Sequence, residues 1–258
     1  MTASKVVLIV QARMGSTRLP AKIHKPILGK PMLQRELERL TKAKKANVVI
    51  VATSTDPADD LVIDIAKAAG VQSFRGDEKD VLDRYYQAAK AADATLVVRA
   101  TGDCPLQDPH VIDEVIERYF ATDVDYTKQP ENYPEGLDTE AFSFAALEAS
   151  WKEAKLPSER EHVTLFIRNH PERFKLDEWR NGDSDYSSMH WSVDTAADFE
   201  FATKVYEYLG ESMFHKEDVL AVLGKHPELL EINKGGTGFE GLAKSLKEDE
   251  AWKTTHGE

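Results

Sequence analysis

The sequence predicts an α/β fold: a mostly parallel, doubly wound sheet with helices on both faces. Two observations carry this. Four strand-like runs, at residues 6–10, 48–53, 71–74 and 96–100, are separated by segments whose apolar residues recur at helical spacing. The first, second and fourth runs are almost continuously apolar, as strands covered on both faces must be. The strand–helix alternation then implies parallel neighbours, with ligands beyond the carboxyl ends of the strands.

The first run, Val6-Val7-Leu8-Ile9-Val10, opens directly into Gln11-Ala12-Arg13-Met14-Gly15-Ser16-Thr17-Arg18-Leu19-Pro20-Ala21-Lys22. Gly15 offers backbone freedom, and Ser16 and Thr17 add hydroxyl donors beside main-chain N–H groups. Arg13, Arg18 and Lys22 supply charge. Arginine grips phosphate oxygens bidentately, while lysine is a compact point charge able to follow a rearranging phosphate. The segment therefore reads as a phosphate-binding loop suited to a triphosphate. It matches neither the P-loop nor the GxGxxG pattern, and a basic surface loop is the competing reading.

Pro31 can start a helix in which Leu33, Leu37 and Leu40 share one buried face. Residues 48–53 form the second strand. Asp56-Pro57 reads as a cap and first-turn proline, Leu61, Ile65 and Ala68 as an inner face, and Gly70 as a helix terminator. The third strand runs into Arg75-Gly76-Asp77, helix signals resume over 80–92, and the fourth strand runs into Thr101-Gly102-Asp103-Cys104-Pro105. From 126 to 190, prolines at 130, 134, 157 and 171 break the alternation, which predicts an antiparallel and helical insertion serving as a lid or dimer arm. Residues 189–195 read as a further short strand and 196–209 as a helix. The expected organisation is one domain over 1–232, with 126–190 as the insertion and 233–258 as a glycine-rich, then charged, tail.

Composition narrows the function classes. A net charge of −12 argues against a general nucleic-acid binder, and the cations of the Gly15 loop stand out against that acidic background. A single cysteine, Cys104, excludes an internal disulfide framework and fits a reducing compartment. No signal or transit peptide is visible and no apolar run reaches membrane-spanning length, so the expected location is cytoplasmic, with no membrane partner.

Asp103 and Asp194 each end a strand-like segment, and one sheet edge can bring them together. Magnesium binds through one or two carboxylates plus phosphate oxygens, so the pair would complete a site opposite the Gly15 loop. The alternative is that both cap helices, Asp103 ahead of Pro105 and Asp194 ahead of Ala196.

The loop from Gln11 to Lys22, together with Asp80-Val81-Leu82-Asp83-Arg84-Tyr85, Thr101-Gly102-Asp103-Cys104-Pro105-Leu106, Arg160-Glu161-His162-Val163-Thr164 and Trp191-Ser192-Val193-Asp194-Thr195, resembles the spore coat polysaccharide biosynthesis protein F family. That family belongs with the cytidylyltransferases that activate acidic sugars, including the KDO and sialic acid synthetases. The resemblance spans nearly the whole chain. It implies a nucleotide-diphospho-sugar transferase fold, Rossmann-like, and transfer of CMP from CTP to an acceptor with pyrophosphate released. By position it implies that Gln11, Ala12, Arg13, Gly15, Ser16, Thr17, Arg18 and Lys22, with Thr101, Gly102 and Asp103, hold the nucleotide. Arg13 and Lys22 would lie on its phosphates, and Asp103 and Asp194 would hold Mg²⁺. Arg75 and Arg84 fall where nucleotide contacts are expected, or are surface and helix-face arginines. The family usually has glycine where this chain has Ala21, a change that can tighten or shift the loop backbone.

The acceptor side is implied less directly. Tyr133, Glu140, Arg160, Glu161 and His162 lie in segments resembling those that close over the acceptor, with Arg160 on a carboxylate or phosphate and His162 as pocket wall or base. An Arg160–Glu161 ion pair at a helix start is the competing reading. His190 and Trp191 would line the sugar side, although a strand tryptophan also suits a core. The expected protein is a homodimeric CTP-dependent transferase acting on a nonulosonic or octulosonic acid in surface polysaccharide biosynthesis. The alternatives are a sugar phosphate, polyol phosphate or phosphonate acceptor, or a non-catalytic nucleotide-binding subunit.

Overall fold

The structure, a computed structural model, describes residues 4–16, 18–235 and 240–256. Strand β1 (Val6–Gln11) has its first five residues buried. Successive side chains enter opposite layers: Val6, Leu8 and Val10 one, Val7 and Ile9 the other. After the loop comes a small hairpin, β2 (Pro26–Ile27) and β3 (Lys30–Pro31), whose two turn residues, Leu28 and Gly29, have φ of 44° and 80°. That handedness is what a two-residue hairpin requires. Helix α1 (Met32–Leu40) buries Leu33, Leu37 and Leu40 completely, as their spacing predicts.

Strand β4 (Val48–Ser54) precedes a 3₁₀ turn capped by Asp56, which accepts from the Ala58 N–H at 2.7 Å. Helix α2 (Asp60–Ala68) ends at Gly70, whose φ of 70° closes the helix as expected. Strand β5 (Gln72–Gly76) and helix α3 (Val81–Ala91), capped by Asp80, complete this half. Strand β6 (Leu96–Thr101) follows, then helix α4 (Pro109–Ala121), capped by Asp108.

Beyond it lie β7 (Tyr126–Lys128), β8 (Glu140–Ser143), α5 (Phe144–Glu153), α6 (Pro157–Glu161), α7 (Leu165–Asn169), β9 (Leu176–Asp177), α8 (Ala196–Leu209), α9 (Lys216–Lys225) and α10 (Glu240–His256). One sheet runs β5-β4-β1-β6-β8-β7-β9, with β8 antiparallel to both its neighbours and the remaining pairs parallel. Apolar side chains of α1, α2, α4, α8 and α9 cover one face, and those of α3, α5 and α7 the other. Strand order reverses beside β1: β4 and β5 lie on one side and β6 on the other. The loops after β1 and β6 therefore diverge over a crevice at the sheet's carboxyl edge.

Three departures from the sequence reading matter. Residues 126–190, read as an insertion, contribute β7, β8 and β9 to the central sheet. Residues 189–195 are not a strand: the segment makes one isolated bridge, Glu135 with His190, and the Val193 N–H donates to the Asp103 carbonyl at 2.8 Å. Its backbone groups are satisfied by two loops instead of a sheet neighbour. The charged tail also has more structure than its weak periodicity suggests, since α10 docks on α6. There the Ser158 N–H and hydroxyl donate to the buried Asp249 carboxylate at 2.9 and 2.5 Å. A polar contact of this kind leaves no apolar stripe to read. Among the described residues no helix is long and apolar enough to cross a membrane.

Gly136 is required by this arrangement. Its φ is 98°, and an added Cβ would lie 2.5 Å from both the Ser192 nitrogen and the Trp191 carbonyl carbon. Gly136→Ala is expected to lower unfolding free energy by about 3 kcal/mol through backbone strain and overpacking, measurable as a reduced urea midpoint.

Candidate active site

The crevice is built by close approach of two strand ends. The Gly102 N–H donates to the Gln11 carbonyl at 2.8 Å, and a Cβ on Gly102 would come within 2.9 Å of the Ala12 Cβ. No larger residue fits between these loops. On the other side, the Ala12 N–H donates to the Ala52 carbonyl and the Met14 N–H to Asp59 Oδ1 at 2.7 Å. Asp59 also accepts from the Ser54 hydroxyl at 2.5 Å, so one buried carboxylate pins the loop to the end of β4. The sequence reading missed Asp59; the available signal was an acid in the first turn after Asp56-Pro57.

The loop does not use Gly15 for a left-handed turn. The Ser16 N–H donates to the Met14 carbonyl at 2.9 Å, making Gly15 the centre of a three-residue turn, and a Cβ there would meet only the Arg13 side chain at 4.0 Å. The left-handed residue is Ala21, with φ 53° and ψ 29°. Thr17 lies outside the described residues.

Lys22 is the centre of the site. Its Nζ donates to Asp103 Oδ2 at 3.0 Å, to Asp194 Oδ1 at 3.0 Å and to the Val193 carbonyl at 2.7 Å. Arg18 Nη2 lies 2.7 Å from the same Asp194 oxygen. Burial opposes the charge on Lys22, but Asp103 and Asp194 outweigh it and raise its pKa. Burial likewise opposes the Asp103 carboxylate, and Lys22 more than compensates, lowering its pKa. Neither aspartate acts as a helix cap: Asp108 caps α4, and Thr195 caps α8 in a reciprocal box with Asp198. The two carboxylates converge on one cation, the ammonium of Lys22, and such a pair can hold a divalent cation whose shell phosphate oxygens complete.

Behind them is a residue the sequence reading did not single out. Glu36 of α1 is fully buried and accepts the Cys104 N–H at 3.1 Å, while its Oε1 has no partner among the described residues. Burial, reinforced by the Asp103 charge, pushes its pKa well up. A carboxylate set within the Leu33, Leu37 and Leu40 stripe was the sequence signal. Cys104 is buried beside it, and burial pushes its thiol well up too.

The other arginines divide. Among the described residues Arg13 pairs with the half-exposed Glu78, at 3.3 Å, a weak contact that an anion can replace. Arg75 is spent on structure, donating to the Ser54 and Asp56 carbonyls and to Asp60. Arg84 is buried and donates to the Asp77 and Glu78 carbonyls, shaping the loop that presents Glu78.

The residues expected on the acceptor side do not form one cluster. Glu140 is buried, bonded to Arg99 and to the Tyr126 hydroxyl at 2.5 Å each and to the Thr164 hydroxyl at 2.7 Å. Arg99 also donates to the Gln11 side chain at 3.3 Å, linking the two strand ends. Arg160 grips Asp80 at the start of α3, while Glu161 and His162 both meet Ser245 of α10. Burial lowers the His162 pKa. The Tyr133 hydroxyl donates to Glu114, and Lys216 lies over its ring. Trp191 is wholly buried, as a core residue. His190 is held between Glu135, 2.8 Å from Nδ1, and Asp198, 3.6 Å from Nε2.

This fold and site define a nucleotide-binding α/β transferase. A family model described as Cytidylyltransferase matches residues 7–225, and the chain belongs to that family of CTP-dependent nucleotidyltransferases. It is 31% identical over 240 residues to the spore coat polysaccharide biosynthesis protein SpsF of Bacillus subtilis, covering 86% of this chain and 95% of that one. It is 36% identical over 116 residues to the 3-deoxy-manno-octulosonate cytidylyltransferase of Trichlorobacter lovleyi, covering 45% of each. Among solved structures it resembles a cytidylyltransferase from Leptospira borgpetersenii, with a TM-score of 0.84, 34% identity, and coverage of 91% of this chain and 98% of that one.

Two outcomes are expected. The carboxylates of Asp198 and Glu135 push the His190 pKa up to about 10, so stability from this contact is complete below the unfolded value of about 6.5 and is lost as pH rises toward 10. Melting temperature should fall across that window, and less steeply in His190→Gln. Ala21→Gly removes left-handed strain and should raise unfolding free energy by up to about 1 kcal/mol, read by chemical denaturation.

Proposed function

We propose that this cytidylyltransferase transfers CMP from CTP to a hydroxyl of an acidic sugar of the nonulosonic or octulosonic type, in surface polysaccharide biosynthesis. The observation that carries the catalytic part is the convergence of Lys22, Arg18, Asp103 and Asp194 at the carboxyl edge of β1 and β6. The acceptor class rests on the named relatives: one is an octulosonate cytidylyltransferase, the other a spore coat polysaccharide protein.

In the reaction the acceptor hydroxyl oxygen attacks the α-phosphorus of CTP and gives up its proton to water, the bond from the α-phosphorus to the bridging oxygen breaks, and pyrophosphate leaves. No covalent intermediate with the protein is needed; the work is positioning and charge stabilisation. Arg13, Arg18 and Lys22 would neutralise the triphosphate and the departing pyrophosphate. Asp103 and Asp194 would hold Mg²⁺, which supplies Lewis-acid polarisation of phosphate oxygens. The Gln11 side chain, held by Arg99, would face the nucleotide from the end of β1. Through Arg99, Glu140 fixes that side chain from the acceptor half. Cys104, buried with its thiol protonated, takes no part as a nucleophile.

Pyrophosphate release measured with each ribonucleoside triphosphate, Mg²⁺ and a panel of acidic sugars, sugar phosphates and phosphonates tests this reading. CTP with a nonulosonic or octulosonic acid should be the active pair. Asp103→Asn and Lys22→Ala should each lower kcat by about 100-fold or more. Activity confined to a sugar phosphate or phosphonate would overturn the acceptor assignment and leave the nucleotidyl transfer standing.

A further inference from the structure

A lysine ammonium has three N–H groups. In Lys22 all three are spent, on Asp103 Oδ2, Asp194 Oδ1 and the Val193 carbonyl. The side chain is only 12% exposed, so this is an enclosed, fully satisfied cation and not a surface lysine resting near two acids. The two carboxylates it holds are those proposed above as the ligands of the divalent metal. One point between Asp103 and Asp194 therefore has two claimants, and Lys22 cannot serve both these carboxylates and a phosphate with the same donors.

We infer that Lys22 closes the divalent-cation site and that the metal enters only together with the triphosphate, whose oxygens take over the N–H groups that Lys22 withdraws from Asp103 and Asp194. The inference rests on the functional reading above, because it takes those two aspartates as the metal ligands.

The energetics favour this order. A bare divalent ion must shed part of a tightly held water shell, displace a three-times-bonded ammonium, and approach two fixed positive charges, Lys22 and Arg18. Displaced from the aspartates without a new partner, the ammonium would lose two of its three acceptors. A triphosphate changes each of these terms. It offers Lys22 and Arg18 anionic oxygens, and it gives the metal further ligands beyond the two aspartates. Metal and nucleotide then each strengthen the other's binding, as reciprocal linkage requires. Arg13 is positioned to join them, since its partner among the described residues is the half-exposed Glu78. Before that exchange, Lys22 keeps the two carboxylates together without a metal ion.

Binding of Mn²⁺ alone, followed by the electron paramagnetic resonance of the free ion and by calorimetry on the full chain, tests the inference. Lys22→Met should bind Mn²⁺ alone at least about tenfold more tightly than the unaltered chain. The gain should vanish in the double variant Lys22→Met, Asp103→Asn. A second readout uses the unaltered protein: mass-spectrometric acylation of Lys22 should stay low when Mn²⁺ alone is added. Equal Mn²⁺ affinity in the unaltered chain and Lys22→Met, no Mn²⁺ binding by Lys22→Met, or a rise in Lys22 acylation on adding Mn²⁺ alone would each overturn it. If the unaltered chain still releases pyrophosphate from CTP in any of those cases, the transferase reading survives its failure. If the unaltered chain does not bind CTP even with Mn²⁺ present, both fall.

Discussion

The clasp of Lys22 on Asp103 and Asp194 joins three stretches of chain separated by 81 and 172 residues. Its net contribution to stability is small, because desolvating an ammonium and two carboxylates offsets most of their attraction. Its effect is geometric. It draws the β1 loop, the turn after β6 and the segment before α8 toward one point, and the Val193 carbonyl fixes the angle at which Asp194 arrives. The crevice exists because strand order reverses beside β1; the clasp gives it a chemical character.

Around that point the protein spends buried polar groups on position. Asp59 ties the β1 loop to the end of β4, and the Gln11–Arg99–Glu140 chain ties the strand end to the half of the molecule beyond β6. His190, charged between Glu135 and Asp198, ties the segment carrying Asp194 to the Gly136 turn and to α8. Each network is nearly fully hydrogen-bonded, the condition under which buried polar groups specify one arrangement without destabilising it. The exceptions are informative. Glu36 keeps an unbonded oxygen behind the Asp103–Cys104 turn, and burial together with the Asp103 charge pushes its pKa well up.

Membership of the cytidylyltransferase family accounts for the nucleotide side of the molecule more completely than for the acceptor side. Arg13, Arg18 and Lys22 each face a carboxylate at the crevice. By contrast Arg160, Glu161 and His162 are engaged with Asp80 and Ser245, and Trp191 is packed in the core. Their engagement binds α3, α6 and α10 into a single wall.

The sequence by itself determined the layered α/β architecture, because continuous apolar strands and helices with one apolar stripe have few ways to hide those surfaces. It also carried the expectation of an anion at the β1 loop, since cations and small residues after a buried strand point to one. The cap at Asp56 and the terminator Gly70 were legible for the same local reason. What only the tertiary structure decided depends on contacts between distant segments. The bridge at His190 in place of a strand, the docking of α10 through Ser158 and Asp249, the left-handed Ala21, and the Gln11–Arg99–Glu140 contacts leave no periodic signal. Asp103 and Asp194 each looked equally suited to a helix cap. Only the fold, by giving the caps to Asp108 and Thr195 and placing Lys22 between the two aspartates, assigned them to one site.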